Sequence, residues 1–263
     1  MVSLIDTLAA FSRITNDVLL RGEMPNHSIQ RTQLVYARLA GIMYLLNYAT
    51  SVFGVLMPSW ITGSGDFMQR AQRVVASEHL YGGALVSMAI GWVMIVLLAF
   101  ALYVTLEPVN KRLAEIALYM ELGQASVGAV TVMFSFATLR LYTDAQLLSA
   151  FPGAHLQSLV SFTQSIGGSG FQLSMMFLSV GSTIFFYLFY KSRFFPKALA
   201  AWGVFASVVM GIVSMAILVF PEHTRTFMYG WGPMGIAEVG TALWLTIAGI
   251  RPRQLAAADT AAP

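Results

Sequence analysis

The sequence predicts an all-α integral membrane protein, a bundle of six transmembrane helices with both termini on the cytoplasmic side. Composition, the lengths of the apolar runs and the placement of the basic residues predict it. Hydrophobic residues fill 57% of the 263 positions and charged residues 10%, against about 25% charged in an ordinary soluble domain. The mean hydropathy is +0.70. The apolar residues are gathered into runs of about 20 or more, the length that crosses a hydrocarbon core. A net charge of +3 and a pI near 9.3 do not point to nucleic acid, because the basic residues flank the apolar runs in short clusters, as topology determinants do.

Residues 1–34 form a cytoplasmic or interfacial segment in which Leu4, Leu8 and Phe11 alternate with Arg13, Asp17 and Arg21; a short helix on the membrane surface and a frayed tail both fit. The segment lacks the basic start, apolar core and cleavage site of a signal peptide, so the first span is expected to direct insertion. The transmembrane domain covers 35–250. Its first span, 35–57, is expected to stop at Pro58 and the interfacial Trp60, with a polar loop following to His79. The second span, 81–106, stops at Pro108 and the pair Lys111 and Arg112, and the third is 113–139. Residues 140–169 are more polar and glycine-rich, which predicts a long outer loop with a short helix around 155–165. The fourth span is 171–190, the fifth 198–220 and the sixth 229–250. The tail of 251–263 is alanine-rich and reads as disordered.

With the N-terminus inside, eleven of the fifteen Lys and Arg residues fall on the cytoplasmic side, and Arg70, Arg73, Arg140 and Arg225 on the outer side. That asymmetry is the one expected of a multi-pass protein oriented by its positive loops. Small residues recur every fourth position at Gly83, Ser87 and Gly91 and at Gly203, Ser207 and Gly211, giving two spans flat stripes for close helix contact.

Several segments carry a family likeness: LYVTLEPVNK at 102–111, ASEHLY at 76–81, YKSRFFPKAL at 190–199 leading to Trp202 and Gly203, the opening RTQLVYARLAGIMYLL from Arg31, and Glu238 followed by Leu243, Trp244, Leu245 and Gly249. Over roughly 31–251 the chain resembles the bacterial membrane family catalogued as domain of unknown function 4386. The resemblance implies a six-helix membrane protein with no assigned activity. It also implies an arginine and a glutamate three apart in the third span, where this chain has Glu121 and Gln124.

Two acids lie deep in spans. Glu121 is about 12 Å past the start of the third and Glu238 about 13 to 14 Å past the start of the sixth, at 1.5 Å per residue. A carboxylate there costs several kcal/mol unless protonated, paired or wetted, which makes both functional candidates. Each opens a Glu-x-Gly-x-Ala pattern; an inverted repeat with a site between halves would give this, and so would chance. The bland alternative is a neutral acid hydrogen-bonded to Asn47, Gln124, Gln172 or Thr241. The functional one is proton handling or an anchor for a ligand, with Glu121, Glu238, Gln124 and Asn47 as the candidate ligand-binding residues. A loop metal site from His79, His155 and His223 has no HxxxH or HExxH spacing behind it.

No catalytic residues and no cofactors are expected. Cysteine is absent, which removes thiolate catalysis and cysteine-ligated clusters. Lys111, Lys191 and Lys197 all fall in cytoplasmic turns, so a buried Schiff base to retinal is not available. No Walker, Rossmann or nucleophile-elbow pattern occurs. The sequence therefore favours non-enzymatic binding or transport of a small lipophilic or protonatable ligand at a midplane site. The alternative is an accessory or scaffold subunit, with a membrane-protein partner or a second copy docked on its small-residue or aromatic faces.

Overall fold

The computed structural model describes residues 26–192 and 195–250. The elements among them are all helical: α1 (Asn26–Thr62), α2 (Phe67–Ala76), α3 (Glu78–Leu106), α4 (Lys111–Thr143), α5 (Ala145–Ala150), α6 (Gly153–Ser192) and α7 (Lys197–Val219), then a 3-10 turn (Pro221–His223), α8 (Thr224–Phe227), a second 3-10 turn (Met228–Trp231) and α9 (Gly232–Ile247). Five of them, α1, α3, α4, α6 and α7, are long and apolar enough to cross a membrane. Most of the expected surface segment 1–34 and all of the tail 251–263 lie outside the described residues.

Helices joined by short connections pack side by side, as in an up-and-down bundle: α1 on α3, α3 on α4, α4 on α6, α6 on α7 and α7 on α9, with α9 returning to α1 to close a ring. Lipid supplies no hydrophobic force between apolar helices, so close packing and hydrogen bonds hold such a ring. The small-residue stripes provide both. Asn47 Nδ2 donates to the Gly91 carbonyl at 2.9 Å and Ser87 Oγ to the Thr50 carbonyl at 3.2 Å, joining α3 to α1. On α7, Gly203 lies under the Phe186 ring and Gly211 under Ser179 of α6. Gly83 is the exception, since a Cβ added there would meet nothing within 4 Å.

Three expectations are corrected, and the sixth expected span is regular helix over only part of its length. Pro58 does not end the first span. It lies inside α1, which runs on to Thr62, where the packing of α1 on α3 outweighs the cost of an interior proline, about 3 kcal/mol. The helix ends instead at Gly63, whose φ of 55° is the left-handed conformation that caps helices. Arg73 secures the end by donating to the Thr62 and Ser64 carbonyls, each at 2.6 Å from Nη2.

The polar loop expected before His79 is largely helix α2. Asp66 caps it by accepting from the Gln69 N–H at 2.8 Å, and Phe67, Ala71 and Val74 share its buried face. Phe67 stacks on Tyr142 of α4 with ring centroids 5.5 Å apart, so α2 covers one end of the bundle over a second core containing Leu85, Leu139 and Leu156. Asp66→Ala is expected to cost about 1 kcal/mol, the usual worth of an N-cap, and to speed proteolysis within 63–77 while leaving the rest of the chain protected. An unchanged digestion pattern would remove the cap from the account.

Residues 140–169 are not a long loop. They form the end of α4, the short α5 and the first part of α6, whose 40 residues reach about 60 Å, about twice a hydrocarbon core. Packing on α4 overrides the weak helix propensity of Gly167, Gly168 and Gly170. Thr138 and Thr163 bring their hydroxyls to 2.8 Å across that contact, and a Cβ at Gly170 would lie 2.9 Å from Thr131 Cγ2.

The sixth hydrophobic segment is broken. Its regular part, α9, has 16 residues, about 24 Å of helix against a core of about 30 Å. The chain before it winds as 3-10 turns around α8, a change of pitch that marks hinges and strained segments. Trp202 Nε1 of α7 donates to the Pro233 carbonyl in the first turn of α9 at 3.0 Å. Gly249, at φ 64°, caps the other end by donating to the Trp244 carbonyl at 3.1 Å.

Candidate functional site

The ring is hollow. A cavity of about 460 Å³ is lined from α1 (Tyr44, Asn47, Tyr48), α3 (Met88, Trp92), α4 (Glu121, Gln124), α6 (Phe171, Met175), α7 (Met210), the 3-10 turn before α9 (Trp231) and α9 itself (Met234, Gly235, Glu238), together with aliphatic side chains of α1, α3 and α6. All four predicted ligand-binding residues, Glu121, Glu238, Gln124 and Asn47, line it. They come from three helices that share no loop, so the closed ring is what brings them together.

Each acid is held by a hydroxyl. Ser182 Oγ of α6 donates to Glu121 Oε1 at 3.2 Å, and Tyr48 Oη of α1 donates to Glu238 Oε2 at 3.0 Å. None of the four partners expected from sequence does this. Asn47 spends its amide on Gly91, while Gln124 Oε1, Gln172 Oε1 and Thr241 Oγ1 are buried with no hydrogen-bond partner. The Glu121 carboxyl fits because position 181 is glycine: a Cβ there would lie 2.7 Å from Oε1 and 3.1 Å from Cδ.

Sequence reasoning missed Tyr48, Ser182, Gly181 and the aromatic wall. In that wall Phe171 bridges Trp92, 6.4 Å away between ring centroids, and Trp231, 5.5 Å away. The indole N–H groups of Trp92 and Trp231 are buried without partners, as is Gln124 Oε1. Each buried polar atom left without a hydrogen bond costs about 1–3 kcal/mol. One signal was legible: Tyr44, Asn47, Tyr48 and Ser51 recur at helical spacing and mark one polar and aromatic face of α1.

The model of the family described as "Domain of unknown function (DUF4386)" matches residues 39–249. The chain belongs to the DUF4386 family. Every residue that lines the cavity lies inside the matched segment of this DUF4386 protein. No curated protein and no solved structure matches it.

His79, His155 and His223 do not assemble into a metal site. Among the described residues no group of three His, Cys, Asp or Glu side chains is placed to hold a metal ion, and His223 instead faces its neighbour Glu222 at 3.1 Å. Lys111 pairs with Glu107 at 3.1 Å on the surface, and Lys191 and Lys197 lie over the rings of Tyr187 and Tyr190.

Proposed function

We propose that this DUF4386 protein is a non-enzymatic binding or transport protein that takes a small lipophilic or protonatable molecule into the cavity, with Glu121 and Glu238 as its polar anchors. It sits in the bacterial inner membrane with six passes, the broken segment 221–247 being the last, and with both termini in the cytoplasm. What supports this function is the convergence on one cavity of two acids from helices that share no loop. A cavity of this size is within the range of small-molecule sites, and buried acids in a membrane helix mark ligand or proton paths by default.

Native mass spectrometry of protein released gently from its own membrane tests it. The expected result is a discrete small-molecule adduct on the wild type that is lost or cut to a small fraction in Glu121→Gln and Glu238→Gln, each of which keeps the hydrogen-bonding shape and removes the acid. Wild-type protein that carries no adduct, or adducts that survive both substitutions, would overturn the proposal. A stoichiometric protein partner in their place would make this an accessory subunit.

A further inference from the structure

We infer that the cavity is a site for a lipophilic organic cation, a hydrophobic amine or onium compound whose charge is held between Glu121 and Glu238 against the Trp92–Phe171–Trp231 wall. The inference rests on the binding function proposed above and specifies its ligand class.

The lining is complementary to positive charge. The described residues of the wall include two glutamates and no Lys, Arg or His. Among the described residues each carboxyl has one hydrogen-bond donor, Ser182 for Glu121 and Tyr48 for Glu238, and each donor engages a single oxygen. An ionised carboxylate at this depth is costly alone, and a bound cation offsets that cost.

The rest of the wall suits a cation that carries little water with it. Five aromatic side chains, Tyr44, Tyr48, Trp92, Phe171 and Trp231, line the cavity together with Met88, Met175, Met210 and Met234. Aromatic faces attract a desolvated cation through their quadrupoles, and tryptophan does so best. Methionines adapt to irregular apolar shapes. A small inorganic cation fits poorly, because it would need several oxygen ligands close together and the wall is mostly carbon.

The test is isothermal titration of the detergent-solubilised full chain with tetraphenylphosphonium, a permanent lipophilic cation, and with triphenylphosphine oxide, a neutral molecule of similar bulk bearing an acceptor oxygen. Titrations into empty micelles are subtracted. Tetraphenylphosphonium is expected to bind at least about tenfold more tightly, the worth of one charge-assisted contact. Glu121→Gln and Glu238→Gln are each expected to lower that affinity about tenfold and to leave triphenylphosphine oxide unchanged. If the neutral compound binds as tightly or more tightly, or if both glutamine variants keep full affinity for the cation, the cation assignment falls and the binding function stands. If neither compound binds, both fall. The wild-type ratio decides the matter even where a variant does not fold.

Discussion

Gly203→Ala is expected to destabilise the protein by about 1–3 kcal/mol, the usual cost of overpacking a filled core, and Gly83→Ala to leave it unchanged or slightly more stable. Both positions belong to small-residue stripes of the same spacing, so propensity alone predicts the same gain of up to about 1 kcal/mol at each. The neighbours reverse it at one of them. A Cβ at Gly203 runs into the root of the Phe186 ring, at Cγ as well as Cδ1 and Cε1. Phe186 is 2% exposed, packed into the interior at close to crystal density. Helix α7 must then move off α6, which in lipid removes the packing that holds the two together. Gly83 faces open space, so its methyl displaces nothing. Thermal unfolding in a mild detergent, compared with the wild type, checks both; equal shifts in the same direction would show that the stripes are not helix contacts.

Trp92→Ala is expected to be more damaging still, about 3–5 kcal/mol. Trp92 is 8% exposed and its six-membered ring occupies the space over Gly128 of α4. Removing it detaches α3 from α4 at the level of the cavity and takes one face from the aromatic wall. Trp92→Phe restores a ring and should recover much of the loss. The same pair separates packing from binding: if the aromatic wall holds ligand, the phenylalanine variant keeps a bound lipophile with reduced affinity and the alanine variant loses it even when stabilised by added lipid. A melting temperature unmoved by Trp92→Ala would mean that the indole is not part of the packed wall.

Both expectations depend on features the sequence displays and does not interpret. The repeat of small residues is visible at Gly203, Ser207 and Gly211, but which side chain of α6 meets Gly203 and Gly211 is decided by the register of that preceding helix, which no local pattern records. In the same way Glu121 and Glu238 stand out as acids in apolar runs, while Ser182 and Tyr48, the hydroxyls that hold them, are ordinary residues until the ring closes.

The membrane character of the protein, its all-helical class and the positions of five apolar helices were determined by the sequence alone. They follow from the length of apolar runs and from the cost of charge in hydrocarbon, both of which are properties of a segment by itself. Only the tertiary structure decided the remainder. It carried α1 past Pro58 and made helix of the glycine-rich 153–170, because packing on a neighbouring helix outweighs local costs of about 1 kcal/mol for glycine and about 3 kcal/mol for proline, and it set 3-10 turns before α9. It also gathered Asn47, Glu121, Gln124 and Glu238 around one hollow, since a cavity between helices is the space that their packing leaves unfilled and belongs to no segment of the chain.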